Sequence, residues 1–475
     1  MLHRVLRAIL TVLTPGRVLP LNPKQMMRRR LYIYMIGLLI TVSILIIIDI
    51  KIQRTDKTYL TPIENQENKM FFKKRKAYTQ RVPKILNDNT HLKIEMENNN
   101  IFEKSTENLS YGSPDIKYMD TILQDKTRKF TKVINTMLEK ARLKIKYVTS
   151  SYNFSQSGVN VLEDLVMESG GQPLRSLIVS TWRSGSTFAG DLVLNVRPGT
   201  YYQYEPLFKF GTKQFKTPEE AIKPVSIVKQ MLQCNNKGLQ DIFDLDRKNY
   251  RVGKPTSRMW DYCKIGNNTE LCFNADFASR LCKLFPFLSI KLVRLRLRLV
   301  QEILDDKTLN VKVILLVRDP RGVMQSRMHH RSCKLSPDCW DPSRVCADMV
   351  SDYVAAGRLL QQYPDRLMAV RFEELALNIN ATSDKILDFL EVKRTQAFDD
   401  FLQSHTNVDT AGAHSTFRVS RNVPYKWTTA LDFNYVNEIQ MVCRSAMDLW
   451  GYKMALNETH MISKDFNPIA DYTLN

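Results

Sequence analysis

Two apolar runs, Leu177-Ile178-Val179 and Val313-Ile314-Leu315-Leu316-Val317, show no alternation and stop abruptly at polar residues. A strand with one wet face alternates. A strand that is apolar at every position must be covered on both faces. A third run, Leu367 to Phe372, has the same character, and a helical pattern follows each run, for the third around Ser383 to Leu390. Strands alternating with helices predict an α/β fold: a P-loop-like parallel sheet flanked by helices. Its ligands belong at the carboxyl ends of the strands.

The first run opens into Ser180-Thr181-Trp182-Arg183-Ser184-Gly185-Ser186-Thr187-Phe188. Laid over the phosphate-loop pattern G-x-x-x-x-G-K-[ST], Ser180 falls on the first glycine and Gly185 on the second. Ser186 falls on the lysine and Thr187 on the Ser/Thr. Backbone N–H groups from Arg183 to Thr187 can still surround an oxyanion at a helix N-terminus. Gly185 permits close approach, Ser184, Ser186 and Thr187 add hydroxyls, and Arg183 offers a planar cation. Without the lysine, ATP chemistry is disfavoured. An ordinary Ser/Gly turn remains the other reading.

The second long run delivers Arg318 at its carboxyl end and continues Asp319-Pro320-Arg321-Gly322-Val323-Met324-Gln325-Ser326. Asp319 can cap the next helix, with Pro320 in its first turn. Ser326 lies two turns beyond Arg318, so both can face one anion above the strand end. A capped helix with solvated arginines is the alternative.

Lys plus Arg exceed Asp plus Glu by 20, which implies an anionic partner: nucleic acid, a membrane surface or an acidic glycan. Leu31 to Ile48 holds no charge and would span roughly 27 Å as a helix, enough for a thin bilayer. Its N-terminal flank carries Arg17, Lys24, Arg28, Arg29 and Arg30, which keeps the N-terminus cytosolic and sends the rest into the lumen. All eight cysteines and the sequons at Asn108, Asn153, Asn267, Asn380 and Asn457 lie beyond this run. An even cysteine count in an oxidising lumen favours disulfides of undetermined pairing. A lumenal body also argues against nucleic acid as a partner. The expected layout is a cytosolic tail (1–30), a transmembrane signal anchor (31–48), a lumenal stem (49–172) and a catalytic domain (173–475). The stem contains a helix around Met119 to Lys146. His329-His330-Arg331-Ser332-Cys333 completes no ligand spacing, so no metal is expected.

The two loop motifs together resemble the Golgi carbohydrate sulfotransferases that sulfate the 6-hydroxyl of galactose, N-acetylgalactosamine or N-acetylglucosamine. The resemblance runs from about Leu174 to Tyr452. It includes YEPL at Tyr204 to Leu207, IK-x-VR at Ile290 to Arg294, VRFEEL at Val370 to Leu375, and the Lys426-Trp427 and Gly451-Tyr452 positions. It implies a sulfotransferase fold behind a single-pass Golgi anchor and a glycan or proteoglycan acceptor, with a homodimer as an admissible assembly. It further implies that Trp182 to Phe188 bind the 5′-phosphosulfate of 3′-phosphoadenosine 5′-phosphosulfate (PAPS). Arg318 to Ser326, in an RDPR-x3-SR segment, would bind the 3′-phosphate. Thr187 stands where the family often has Ser, and Thr428 where it often has Arg.

Sulfuryl transfer needs both partners in line and charge neutralised on the sulfuryl oxygens, work assigned to Arg183 and the loop amides. The attacking hydroxyl needs a base. Glu205, set at a strand edge by Pro206, is the candidate; His329 and His330 are alternatives. Asp191 reads as structural. Ser289 to Val300 alternates arginine and leucine and reads as a strand with one basic face. Trp260, Trp340 and Trp427 are read as core residues rather than sugar platforms. Two rival functions remain. One is a lumenal glycosyltransferase, for which Asp244-Leu245-Asp246 is the sole lumenal D-x-D. The other is a membrane-anchored binder of acidic glycans.

Overall fold

The structure is a computed structural model that describes residues 114–248, 262, 269–328, 330–406 and 419–474. Five parallel strands form one sheet in the order β2-β3-β1-β4-β5. They are β1 (Leu174–Val179), β2 (Thr200–Tyr204), β3 (Phe287–Leu292), β4 (Val311–Val317) and β5 (Leu367–Arg371). β1 lies at the centre, with Val179 opposite Leu292 on one side and Leu315 on the other.

The absence of alternation has the expected cause. Leu177, Val179, Val313, Leu315 and Val317 pack into one hydrophobic cluster. Ile178, Ile314 and Leu316, which alternate with them, pack into a second. Each face is therefore buried, as an all-parallel sheet requires. The main helices are α1 (Pro114–Val148), α2 (Ser186–Gly190), α3 (Pro218–Leu232), α4 (Ala275–Cys282), α5 (Leu297–Asp305), α6 (Pro320–Met328), α7 (Pro342–Gln362), α8 (Phe372–Leu377), α9 (Ile379–Phe389), α10 (Gln396–Thr406) and α11 (Phe433–Leu449). α3, α5, α7 and α11 cover the first face with Val228, Val300, Leu359 and Ile439. α9 and α10 cover the second with Ile386, Leu387, Phe398 and Leu402.

Disulfides between described residues join Cys234 to Cys282, Cys333 to Cys339 and Cys346 to Cys443, and no described cysteine is free. The Cys346–Cys443 bond ties α7 to α11.

Two expectations change. α1 lies upstream of the boundary expected at residue 173, yet it packs on the body. Ile134, Met137, Leu138, Ala141 and Ile145 of α1 are buried against Phe277, Leu281 and Phe285. Their spacing is the apolar stripe of an amphipathic helix, so this part of the presumed stem belongs to the body. The Ser289–Val300 segment is also not one strand. β3 ends at Leu292, and α5 begins at Leu297. Leu297, Val300, Ile303 and Leu304 recur at helical spacing and are all buried, so the helical period overrides the short alternation before it.

Among the described residues no helix is long and apolar enough to cross a membrane; Leu31 to Ile48 lies outside them. So do Asn108 and Asn267. Asn153, Asn380 and Asn457 are exposed.

Candidate active site

The anion motifs meet at the carboxyl ends of β1 and β4. Ser180 leaves β1 with its Oγ donating to the Leu316 carbonyl of β4 at 2.8 Å. Arg183 (φ 68°) and Gly185 (φ 81°) then take left-handed conformations, and α2 starts at Ser186. These two turns send the chain back over the strand end, with the amides before α2 on its N-terminal side. A Cβ on Gly185 would lie 2.3 Å from the Phe372 ring; only glycine lets the loop sit this close to α8.

The second motif leans on the first. Arg318 Nη1 donates to the Arg183 carbonyl at 2.9 Å, and Arg183 Nε donates to Ser326 Oγ at 3.0 Å. Arg318 and Ser326, eight residues apart, thus both reach Arg183 of the loop. Asp319 caps α6, its Oδ1 accepting the Arg321 N–H at 2.8 Å. Pro320 opens that helix. The Arg318 guanidinium lies 4.7 Å from the Phe372 ring centre. Gly322 keeps the neighbouring turn open for it, since a Cβ there would come within 3.2 Å of Arg318 Nε. Burial pulls the Arg318 pKa below its usual value.

The remaining residues of that segment are structural. Arg321, fully buried, forks onto Asp319 and reaches the Gln440 side chain and the Lys453 carbonyl. Its guanidinium sits 4.0 Å from the ring centre of Trp427, which is buried as expected. Val323 and Met324 are core, and Gln325 is half-buried. Thr428 donates to the Tyr425 carbonyl. Glu373 accepts the Asp319 N–H at 3.0 Å and the Tyr452 hydroxyl at 2.9 Å. Burial, with Asp319 beside it, pushes its carboxyl up to about 7.

Glu205 sits where β2 stops, in a left-handed turn (φ 50°) that Pro206 continues as a 3-10 helix. Its carboxylate pairs with Lys291 Nζ at 2.7 Å and Arg294 Nη1 at 2.8 Å. Burial alone would raise its pKa, but the two cations outweigh burial and hold it at about 2. Lys291 also donates to Thr187 Oγ1 at 3.2 Å. Thr187 in turn contacts the Tyr204 hydroxyl at 3.2 Å, and Lys291 Nζ lies 3.8 Å from the centre of that ring. Glu205, Lys291 and the loop are therefore one hydrogen-bonded unit.

Lys291, noted only as part of the IK-x-VR pattern, is the residue to which the pattern reading gave no role. The loop lacks a lysine, but β3 delivers one from the side, fully buried and bonded to Thr187. The signal was present: a lysine inside the otherwise apolar strand FLSIKL needs a partner. The arginines after it do not form a basic face. Arg294 pairs with Glu205; Arg296, buried, pairs with Asp352 at 2.9 Å; Arg298 alone is exposed.

Other candidates fall elsewhere. Trp182 and Phe188 are half-buried, Phe188 packing near Phe401. Ser186 and Ser184 are buried, and Ser184 Oγ makes no hydrogen bond. Asp191 accepts from Asn195. His330 bonds Ser332; His329 and Trp260 lie outside the described residues. Trp340 is not core but 47% exposed, because it ends a four-residue helix on a disulfide-closed loop. Asp244 and Asp246 lie on a helix, Gln240–Lys248, rather than at a strand end. No described cluster of His, Cys, Asp and Glu could hold a metal.

The chain is similar to known sulfotransferases. The sulfotransferase domain matches residues 173–451. Carbohydrate sulfotransferase 1 of Mus musculus is 28% identical over 334 residues, covering 60% of this chain and 80% of that protein. Carbohydrate sulfotransferase 3 of Mus musculus is 24% identical over 339 residues, covering 62% and 71%. The solved mouse sulfotransferase SULT7A1 complexed with PAP aligns over 57% of this chain and 84% of its own, at 10% identity and a TM-score of 0.30. With its two anion motifs joined at one strand end, the chain belongs to the sulfotransferase domain family and is an enzyme whose sequence relatives are carbohydrate sulfotransferases.

Proposed function

We propose that the enzyme transfers a sulfuryl group from PAPS to the 6-hydroxyl of galactose, N-acetylgalactosamine or N-acetylglucosamine in a glycan or proteoglycan chain. We place it in the Golgi membrane as a single-pass protein with its catalytic domain in the lumen. The observation that carries the reading is the single unit formed by the loop, Lys291 and Glu205, beside a second buried arginine site. The residues present suit a donor with two phosphate groups. Ser184 Oγ and Arg318 Nε are buried polar atoms with no hydrogen-bond partner, and each belongs to a different motif.

The donor supplies a sulfuryl group joined to a phosphate, which leaves as a stable anion. Residues Arg183 to Thr187 would hold the 5′ end and Arg318 with Ser326 the 3′-phosphate. Lys291 and Arg183 place positive charge where negative charge grows. Glu205 takes the proton of the acceptor hydroxyl. At a pKa near 2 it is a weak base while both cations hold it. An anion in the cradle competes for Lys291, and every contact Lys291 gives up makes Glu205 more basic. Donor binding and base activation are coupled through one ammonium.

The test is nucleotide protection and acceptor choice. The product nucleotide 3′-phosphoadenosine 5′-phosphate should raise the unfolding temperature and UDP should not. Labelled donor should then mark keratan, chondroitin or N-acetylglucosamine-terminated acceptors. Protection by UDP alone would favour a glycosyltransferase, and protection by neither would overturn the donor assignment.

A further inference from the structure

The carbonyl side of the cradle is held by guanidinium groups from three other segments. Arg296 Nη2 donates to the Ser180 carbonyl at 2.7 Å. Arg318 Nη1 takes the Arg183 carbonyl at 2.9 Å. Between them, Arg327 Nε and Nη2 reach the Trp182 carbonyl at 3.0 and 2.9 Å, and Nη2 reaches Thr181 Oγ1 at 2.7 Å. The other arm of Arg327, Nη1, donates to the Cys339 carbonyl at 2.9 Å and the Asp338 carbonyl at 3.3 Å. Arg327 is 2% exposed and has no carboxylate within ion-pair distance among the described residues. Burial pulls its pKa down to about 9, with Arg296 adding to the effect, so it stays charged at neutral pH.

A buried charge satisfied wholly by neutral acceptors is costly unless the site gains from it. Here the gain is directional. A peptide group whose carbonyl is bound on one side presents its N–H on the other. Fixing the carbonyls of Trp182 and Arg183 fixes the peptide planes that carry the Arg183 and Ser184 N–H groups; the Ser184 N–H turns back onto the Thr181 carbonyl at 3.4 Å, so the turn leading into the amides of Gly185 to Thr187 is held from both sides. The Cys333–Cys339 disulfide closes the short loop that supplies the far-side carbonyls, so Arg327 is braced against a cross-linked segment.

Building on the donor assignment above, we propose that Arg327 is the positioning residue of the donor loop. Without touching the donor, its planar fork bolts Thr181-Trp182 to the disulfide-closed loop and holds the turn from which the amides of Gly185 to Thr187 meet an oxyanion. A lysine carries the same charge but cannot occupy these acceptors in one plane.

The experiment uses the full-length protein and the variants Arg327→Lys and Arg327→Met. Amide hydrogen exchange without nucleotide is the first readout. Both variants should exchange at least tenfold faster at Gly185 to Thr187, with β5 and α11 unchanged. Initial rates are the second: donor KM should rise tenfold or more in both, while kcat at saturating donor falls less than threefold. Wild-type exchange at these amides in Arg327→Lys, or full rescue of donor KM by lysine, would overturn the proposal. If Arg327→Met fails to fold, Arg327→Lys decides alone. The exchange readout needs no donor, so failure of the donor assignment would show separately, as absent nucleotide protection in the wild type.

Discussion

Replacing Glu205 with Gln tests the electrostatics and the chemistry at once. The carboxyl is held at about 2 against an ordinary 4.5. At 1.36 kcal/mol per decade, this corresponds to roughly 3 kcal/mol of folding stability at neutral pH. A depressed carboxyl contributes fully above its unfolded value and loses that contribution as pH falls toward its folded one. The window is therefore pH 4.5 down to 2. Glu205→Gln should be destabilised by about 3 kcal/mol at pH 7, since Lys291, almost wholly buried, loses its carboxylate. The gap between variant and wild type should narrow through pH 4 and close near pH 2. Urea unfolding at several pH values measures this. If Glu205 is the base, turnover should also fall about 100- to 10,000-fold, while 3′-phosphoadenosine 5′-phosphate still binds. Equal stability at pH 7 with parallel pH profiles would refute the ion-pair account. Near-normal turnover in a folded variant would refute the base.

Further perturbations probe the frame around the site. Gly185→Ala should cost about 1 kcal/mol for its left-handed backbone and a further 1–3 kcal/mol for overpacking, because its Cβ would lie 2.3 Å from the buried Phe372 ring. Phe372 also carries Arg318, so nucleotide affinity should fall with the unfolding temperature; a variant as stable as wild type would mean the loop sits higher than described. Removing the Cys346–Cys443 bond, with its sequence separation of 97, should cost about 4–5 kcal/mol in the chain-entropy view. Removing Cys333–Cys339, with a separation of 6, should cost only about 2 kcal/mol. Denaturant midpoints of the two double serine variants check the order. Lys291→Met should abolish turnover and free Glu205 from one cation, moving the acid limb of its stability profile to higher pH; an unchanged limb would mean Arg294 alone sets that pKa.

How much of this was written in the sequence depends on the reach of each interaction. The strand-loop-helix passages at Val179 and Val317 were legible because burial, loop and capping are local. The same holds for the Asp319 cap, two residues from its partner. The strand order was not legible, and the site depends on it. Lys291 reaches a threonine 104 positions earlier because β3 lies beside β1 in the sheet, and nothing in either segment names the other. The alternation of Arg294, Arg296 and Arg298 misled for the same reason. Leu297 starts the helical stripe of α5, and Arg294 and Arg296 are matched to Glu205 and Asp352 from distant segments.

The missing lysine of the loop illustrates what that separation allows. A lysine within a phosphate loop moves with the loop and serves the ligand alone. Placed on β3, an interior strand, Lys291 is fixed by the sheet and shared between Thr187 of the loop and Glu205. Its ammonium is then a balance: what it gives to an anion at Thr187 it withdraws from Glu205. A loop-borne lysine could neutralise the donor but could not report its arrival to the carboxylate. Under the proposed function, the relocation of one charge from loop to strand would link donor occupancy to base strength. That link predicts that lengthening the Lys291 contact, through Thr187→Val, should depress turnover more than it depresses nucleotide affinity. Equal losses in both would show that the ammonium serves the cradle only.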